Sequence, residues 1–129
     1  MTIEAGQALP PLQRVIPQDA VQRYAEASGD FNPLHIDPAF AATTQFGGTI
    51  VHGMHLLALL NEMLTSAFGE RWPASGRLKV RFRAPARPGE VIDGTGAVKK
   101  VDGDKVTAEL ELKDGAGTLL VSGEATLTI

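Results

Sequence analysis

The spacing of apolar residues changes partway along the chain, from helical to alternating. Ala20, Val21, Tyr24 and Ala25 fall on one helical stripe that begins near Gln18, and Gly29 follows as a stop, which predicts a short amphipathic helix. The residues before it, with Pro10 and Pro11 and a closing Val15-Ile16 pair, read as an opening strand or arm. Gly29 to Asp37 is polar and turn-rich, and Pro33 bars a continuing helix, so this stretch reads as a loop. Asp37 and Pro38 look like an N-cap and first helical residue, opening a brief helix through Ala42. Gly53 to Phe68 is apolar on most sides (Met54, Leu56 to Leu60, Met63, Leu64, Ala67, Phe68) and predicts a buried helix ended by Gly69.

Beyond Trp72 and Pro73 the period becomes two. Leu78, Val80 and Phe82 alternate with Lys79, Arg81 and Arg83, giving a strand with one wet face. Pro85, Pro88 and Gly89 make a turn, and Val91 to Val101 reads as a second strand. Asp102-Gly103-Asp104 is a hairpin signal, followed by alternating strands through Val106 to Leu112 and Leu119 to Leu127. The second half is therefore expected to be an antiparallel meander with one apolar face. An apolar helix needs a wall and such a sheet needs a filling, so the expected class is α+β, the sheet wrapped around the helix in a single domain over residues 1–129.

Composition narrows the functions. A formal net charge of -3 offers no general attraction for phosphate backbones, so nucleic acid is not an expected partner. With no cysteine there is no disulfide, thiolate nucleophile or cysteine metal site. Met1 to Pro11 has no apolar core of signal-peptide length, and the apolar run Leu56 to Leu60 is far short of a membrane span. A soluble cytoplasmic protein is the expectation.

Reactive side chains concentrate in two places: Gly29-Asp30-Phe31-Asn32-Pro33-Leu34-His35-Ile36-Asp37, and Ile50-Val51-His52-Gly53-Met54 at the start of the long helix. A carboxylate and an imidazole five residues apart on a proline-stiffened loop can both reach one water, the requirement for paired acid–base catalysis. The helix N-terminus adds backbone N–H groups suited to an oxyanion. Blander roles compete. Asp30 could close the loop, His35 could be a satisfied half-buried histidine, and His52 could bond to backbone near the helix start. His52 and His55, three residues apart, with His35 and Asp37 nearby, also carry the ligand types of a zinc site. Lys79, Arg81, Arg83 and Arg87 read as a solvated strand face or as phosphate contacts.

At these residues the chain resembles the MaoC-like hot-dog family, in particular its R-specific enoyl-CoA hydratases. The match runs from Tyr24 through Ser28 to Pro38, then Phe40 to Thr44 and Ile50 to Met54, with a second block at Phe82, Pro85 and Pro88-Gly89-Glu90. The resemblance implies a hot-dog fold, a homodimer, and reversible addition of water to a trans-2-enoyl thioester of coenzyme A or an acyl-carrier protein, with no cofactor and no metal. By position it makes Asp30 and His35 the catalytic pair, one the base toward water and the other supplying a proton to the α-carbon, with Asp30 favoured as base. Asn32, His52, Gly53, Met54 and Asn61 would be substrate-binding. Asn61 stands near where such hydratases carry a serine, and His55 where an apolar residue is usual. A thioesterase, a carrier-protein dehydratase and a non-catalytic acyl-thioester binding subunit remain as alternatives.

Overall fold

A computed structural model describes residues 2–129. Its elements in chain order are β1 (Leu12–Val15), α1 (Gln18–Ser28), α2 (Pro33–Ile36), α3 (Pro38–Ala42), α4 (Gly53–Phe68), α5 (Arg71–Ser75), β2 (Arg77–Phe82), β3 (Val91–Asp102), β4 (Lys105–Asp114) and β5 (Leu119–Thr128). The five strands form one antiparallel sheet in the order β1-β3-β4-β5-β2. In β4 the predicted alternation is literal: Val106, Ala108, Leu110 and Leu112 are buried, and Lys105, Glu109 and Lys113 are exposed. Their inward side chains meet Leu56, Leu60, Met63, Leu64 and Phe68 of α4 in one core that also takes in Ile92, Val121 and Leu127. Burying each such large side chain is worth about 1.5–3 kcal/mol. α4 therefore has its wall, as the class α+β required.

Three features depart from the sequence pattern. The loop expected over Gly29 to Asp37 contains a turn of helix, α2, because Pro33 stands at its first position, where the missing N–H costs nothing. A second short helix, α5, had no periodic signal; it seats Trp72, whose side chain is buried. The meander holds only for β3, β4 and β5. β2 lies at the far edge beside β5, so the segment 83–90 crosses the sheet from that edge to β3, the strand next to the opposite edge, instead of turning back.

That crossing shapes the site. Its backbone is held at three places: Arg83 N–H donates to Leu120 O (2.8 Å), Val51 N–H donates to Ala86 O (2.9 Å), and Gly89 N–H donates to Ile16 O (2.8 Å). The chain entering α4 is thereby fastened to the crossing segment. At the opposite edge, β1 is short, but Leu9 N–H donates to Gly96 O and Val98 N–H to Gln7 O, so the residues before Pro10 continue the pairing along β3. β2 has a neighbour on one side only.

Candidate active site

The site begins where α1 ends. Gly29 takes the left-handed conformation (φ 77°), which a side chain would strain, and its N–H donates to Ala25 O at 2.9 Å. The chain leaves the helix there, and Asp30 follows at once. Asp30 Oδ1 accepts from Asn32 N–H (3.2 Å), and Asn32 Oδ1 accepts from Leu34 N–H (3.0 Å), capping α2. Two successive side-chain-to-backbone turns thus fix the stretch between Asp30 and His35.

His35, half-buried on α2, has its Nδ1 2.8 Å from Ile50 O. A carbonyl only accepts, so Nδ1 carries a proton toward Ile50 O and Nε2 is the nitrogen left for the site. His52, the residue before α4, is 2% exposed, and its Nε2 lies 3.0 Å from Asp30 O. The same reasoning places its proton on Nε2, leaving a buried Nδ1 with no partner. The rings of His35 and His52 stack with centroids 3.9 Å apart and planes 25° from parallel. Tyr24 of α1 closes the other side, 4.7 Å from the His52 ring and 4.8 Å from His55.

One ligating atom from each of Asp30, His35 and His52 lies within 4.8 Å of the others. A water donating two hydrogen bonds of about 2.8 Å at its tetrahedral angle spans about 4.6 Å, so the carboxylate and the His35 imidazole stand at the separation one water can bridge. The same trio is what could hold a metal ion among the described residues. With His52 Nε2 given to Asp30 O and His35 Nδ1 to Ile50 O, the atoms left free in the trio are the carboxylate, His35 Nε2 and His52 Nδ1. Asp37, weighed above as a further ligand, caps α3 through Ala39 N–H and Phe40 N–H instead.

His35 also lines a largely apolar cavity of about 340 Å³, together with Ile50, Gly53, Leu56, Phe82 and Ala86. Gly53 opens the 16-residue α4; His55 and Leu56 N–H bond the carbonyl of the N-cap His52, and the Gly53 and Met54 amides precede the first helical acceptor. A Cβ at Gly53 would stand 3.1 Å from the Phe82 ring, so glycine is what lets the aromatic ring lie against the helix start. His55 has its pKa lowered from the ordinary histidine value, first by burial and then by the neighbouring His52 and Arg14.

The structure therefore brings Asp30, Asn32, His35, His52 and Gly53 together. It does not bring Met54 or Asn61 to them. Met54 is 62% exposed and does not line the cavity. Asn61 is engaged elsewhere: its Oδ1 accepts from the indole N–H of Trp72 at 2.7 Å. Sequence reasoning missed the Ile50 carbonyl and the cavity wall at Ala84 to Ala86, since backbone groups and small residues carry no chemical signature. Among the basic residues, Arg83 lines the cavity and bonds Ser122, whereas Arg87 reaches Gly48 O. Lys79 and Arg81 lie on the outer face of the sheet among Glu109, Glu111 and Glu124. There Lys99 sits 3.1 Å from Glu109 and 3.9 Å from Glu124.

A helix-filled antiparallel sheet with an Asp/His pair at the start of the helix defines a class, and comparison with known proteins gives its name. Residues 3–119 match the family model described as the MaoC like domain, and the chain belongs to that family. It is 37% identical over 115 residues to an (R)-specific enoyl-CoA hydratase of Aeromonas caviae, covering 84% of this chain and 83% of that protein. A 3-hydroxybutyryl-CoA dehydratase of Methylorubrum extorquens is 31% identical over 123 residues, 92% of this chain and 76% of the relative. The solved structure of the (R)-hydratase from A. caviae superposes with a TM-score of 0.86 at 31% identity, over 99% of this chain and 98% of that one. These neighbours have the hot-dog fold, as the sequence resemblance implied.

Proposed function

We propose that the protein is a hydro-lyase that reversibly adds water to a trans-2-enoyl-CoA, giving the (R)-3-hydroxyacyl-CoA, with Asp30 and His35 as its catalytic pair. The observation that carries this reading is the placement of a carboxylate and the His35 imidazole within 4.8 Å of each other, with His35 on the wall of an apolar cavity that includes the first residue of α4. The relatives named as an (R)-specific enoyl-CoA hydratase and a 3-hydroxybutyryl-CoA dehydratase support the same reaction in its two directions.

In this reading the substrate's acyl group enters the cavity and its thioester carbonyl meets the Gly53 N–H, where the helix N-terminus favours the negative charge that develops on oxygen. A water donates to the Asp30 carboxylate and to His35 Nε2. As its oxygen bonds to the β-carbon, Asp30 takes one proton from the water and passes that same proton to the α-carbon, while His35 Nε2 accepts from the other O–H and orients it. The pair ends as it began, and one water is consumed per double bond. Asn32 acts by holding the loop, and Arg83 is the basic residue best placed to meet the phosphates of coenzyme A. The unpaired edge of β2 and the exposed Phe82 and Met54 support a homodimer joined through β2, which sedimentation at working concentration tests.

The deciding experiment offers the purified protein short and medium trans-2-enoyl-CoAs and follows loss of the conjugated-enoyl absorbance. Loss without release of free thiol supports hydration. Thiol release detected by a trapping dye would make the protein a thioesterase, and turnover only on a carrier-protein thioester would move it to the dehydratases of that substrate. Inertness toward both carriers leaves a binding subunit.

A further inference from the structure

Among the described residues His52 is the one buried histidine or charged-type side chain of the core, and the hydration chemistry above gives it no proton to move. It nevertheless touches both members of the catalytic pair. Its Nε2–H donates to the backbone carbonyl of Asp30, and its ring face lies against the ring of His35 at 3.9 Å. We infer that His52 is a positioning residue, a brace that sets the distance between the Asp30 carboxylate and the His35 imidazole from behind. The inference rests on the proposed roles of Asp30 and His35 and adds what holds them in register.

Each contact does a separate job. Asp30 is exposed and its side chain is tied only to the next turn of its own loop, so the Asp30–His52 bond is its link to the rigid end of α4. His35 is held at Nδ1 by Ile50 O, a single bond about which the ring could still swing; the His52 face stops that swing. His52 itself is buried and held on several sides. It is packed between His35 and Tyr24, with its backbone carbonyl receiving the N–H groups of His55 and Leu56 in the first turn of α4. A buried ring that bonds the backbone of one reacting residue and stacks on the other is placed to hold their separation. Such holding matters because displacement of a catalytic group by about 1 Å can slow a reaction on the order of a hundredfold.

Two substitutions separate the jobs. His52→Phe keeps the ring against His35 and removes the donor to Asp30, whereas His52→Gln keeps an amide N–H near the Asp30 carbonyl and removes the ring. Each is expected to lower kcat on the order of ten- to a hundredfold while KM stays within about twofold, measured on the folded fraction. The losses should be absorbed by different partners: Asp30→Asn with His52→Phe should be no slower than Asp30→Asn alone, and His35→Gln with His52→Gln no slower than His35→Gln alone. Multiplying losses, an unchanged kcat in both variants, or a raised KM at unchanged kcat would each overturn the brace. Imidazole ¹⁵N NMR gives a reading that does not need turnover. The His35 signal should report the single Nδ1–H form in the wild type and in His52→Phe, and a tautomer mixture in His52→Gln; a single form in all three overturns the ring's role even in a protein that hydrates no enoyl thioester. Should His52→Phe not fold, the smaller His52→Gln still carries both readings.

Discussion

Gly53 and Met54 are neighbours in α4, yet one lines the cavity and the other faces solvent. Consecutive helical residues point about 100° apart, so a motif that reads as one unit in sequence is split by the helix into faces. The inner face carries Gly53 and Leu56 into the cavity and Leu60 and Leu64 into the core. The outer stripe runs Met54, Ala58, Asn61, Thr65, at spacings of four, three and four, and all four are exposed. Asn61 is also about 12 Å along the axis from Gly53. Its amide is spent on Trp72, the anchor of α5. What separates the two regions is the destination of their polar groups: on the site side they converge on one point, and on the outer stripe Asn61 holds down a neighbouring element.

The sharpest way to break that contrast is at the pair itself. General acid–base catalysis contributes typically about a hundred- to ten-thousand-fold, so Asp30→Asn and His35→Gln are each expected to slow turnover by at least that order with little change in melting temperature. The double variant should be little worse than the poorer single, because groups acting on one water lose their joint effect once. On the outer stripe the outcome should invert. Asn61→Ala removes the acceptor of the partly buried Trp72 N–H and is expected to cost about 0.5–1.5 kcal/mol of stability, read by denaturant unfolding, with kcat and chain-length preference unchanged. Asn61→Ser, whose hydroxyl is too short to reach the indole, should behave the same way. A changed acyl-chain preference in either would return Asn61 to the site.

The smallest effect concerns His55, which lies between the two regions. Its folded pKa is below the ordinary value, so in the window between the two the unfolded chain binds more protons than the folded one. Stability should therefore be fully present above about pH 6.5 and decline as pH falls toward the folded pKa. His55→Phe, which keeps a ring against Tyr24, should flatten that decline; unfolding midpoints compared above and below the window check it.

The elements with strong period were legible: α1 with its Gly29 stop, α3 with its Asp37-Pro38 cap, α4, and the hairpin at Gly103 all stand where the pattern puts them. What was not legible has physical reasons. One turn of helix, as in α2 or α5, is too short to show a period, and Pro33 breaks a helix from inside but starts one from its first position. The crossing over 83–90 is a tertiary event, since two prolines and a glycine describe a turn equally well. In the candidate site, the closeness of Asp30 and His35 was legible through motif and chemistry. The Ile50 carbonyl that sets the tautomer of His35 was not, because any residue could have supplied it. Met54 and Asn61, expected at the site from the resemblance, lie on a different face of α4 from Gly53, because the angle around the helix and not adjacency decides where a side chain points.

The outer face of the sheet bears on how fast a substrate can arrive. There Lys79, Arg81 and Lys99 are interleaved with Glu109, Glu111 and Glu124, so opposite charges cancel within a few ångströms. Such a surface has little field beyond a Debye length, about 8 Å at physiological ionic strength, and cannot draw in a polyanionic substrate from a distance. Capture is then left to local contacts at the cavity mouth. Second-order turnover of a coenzyme A thioester should accordingly change only weakly as salt is raised, in contrast to the steep decline of enzymes that steer their substrates by long-range attraction.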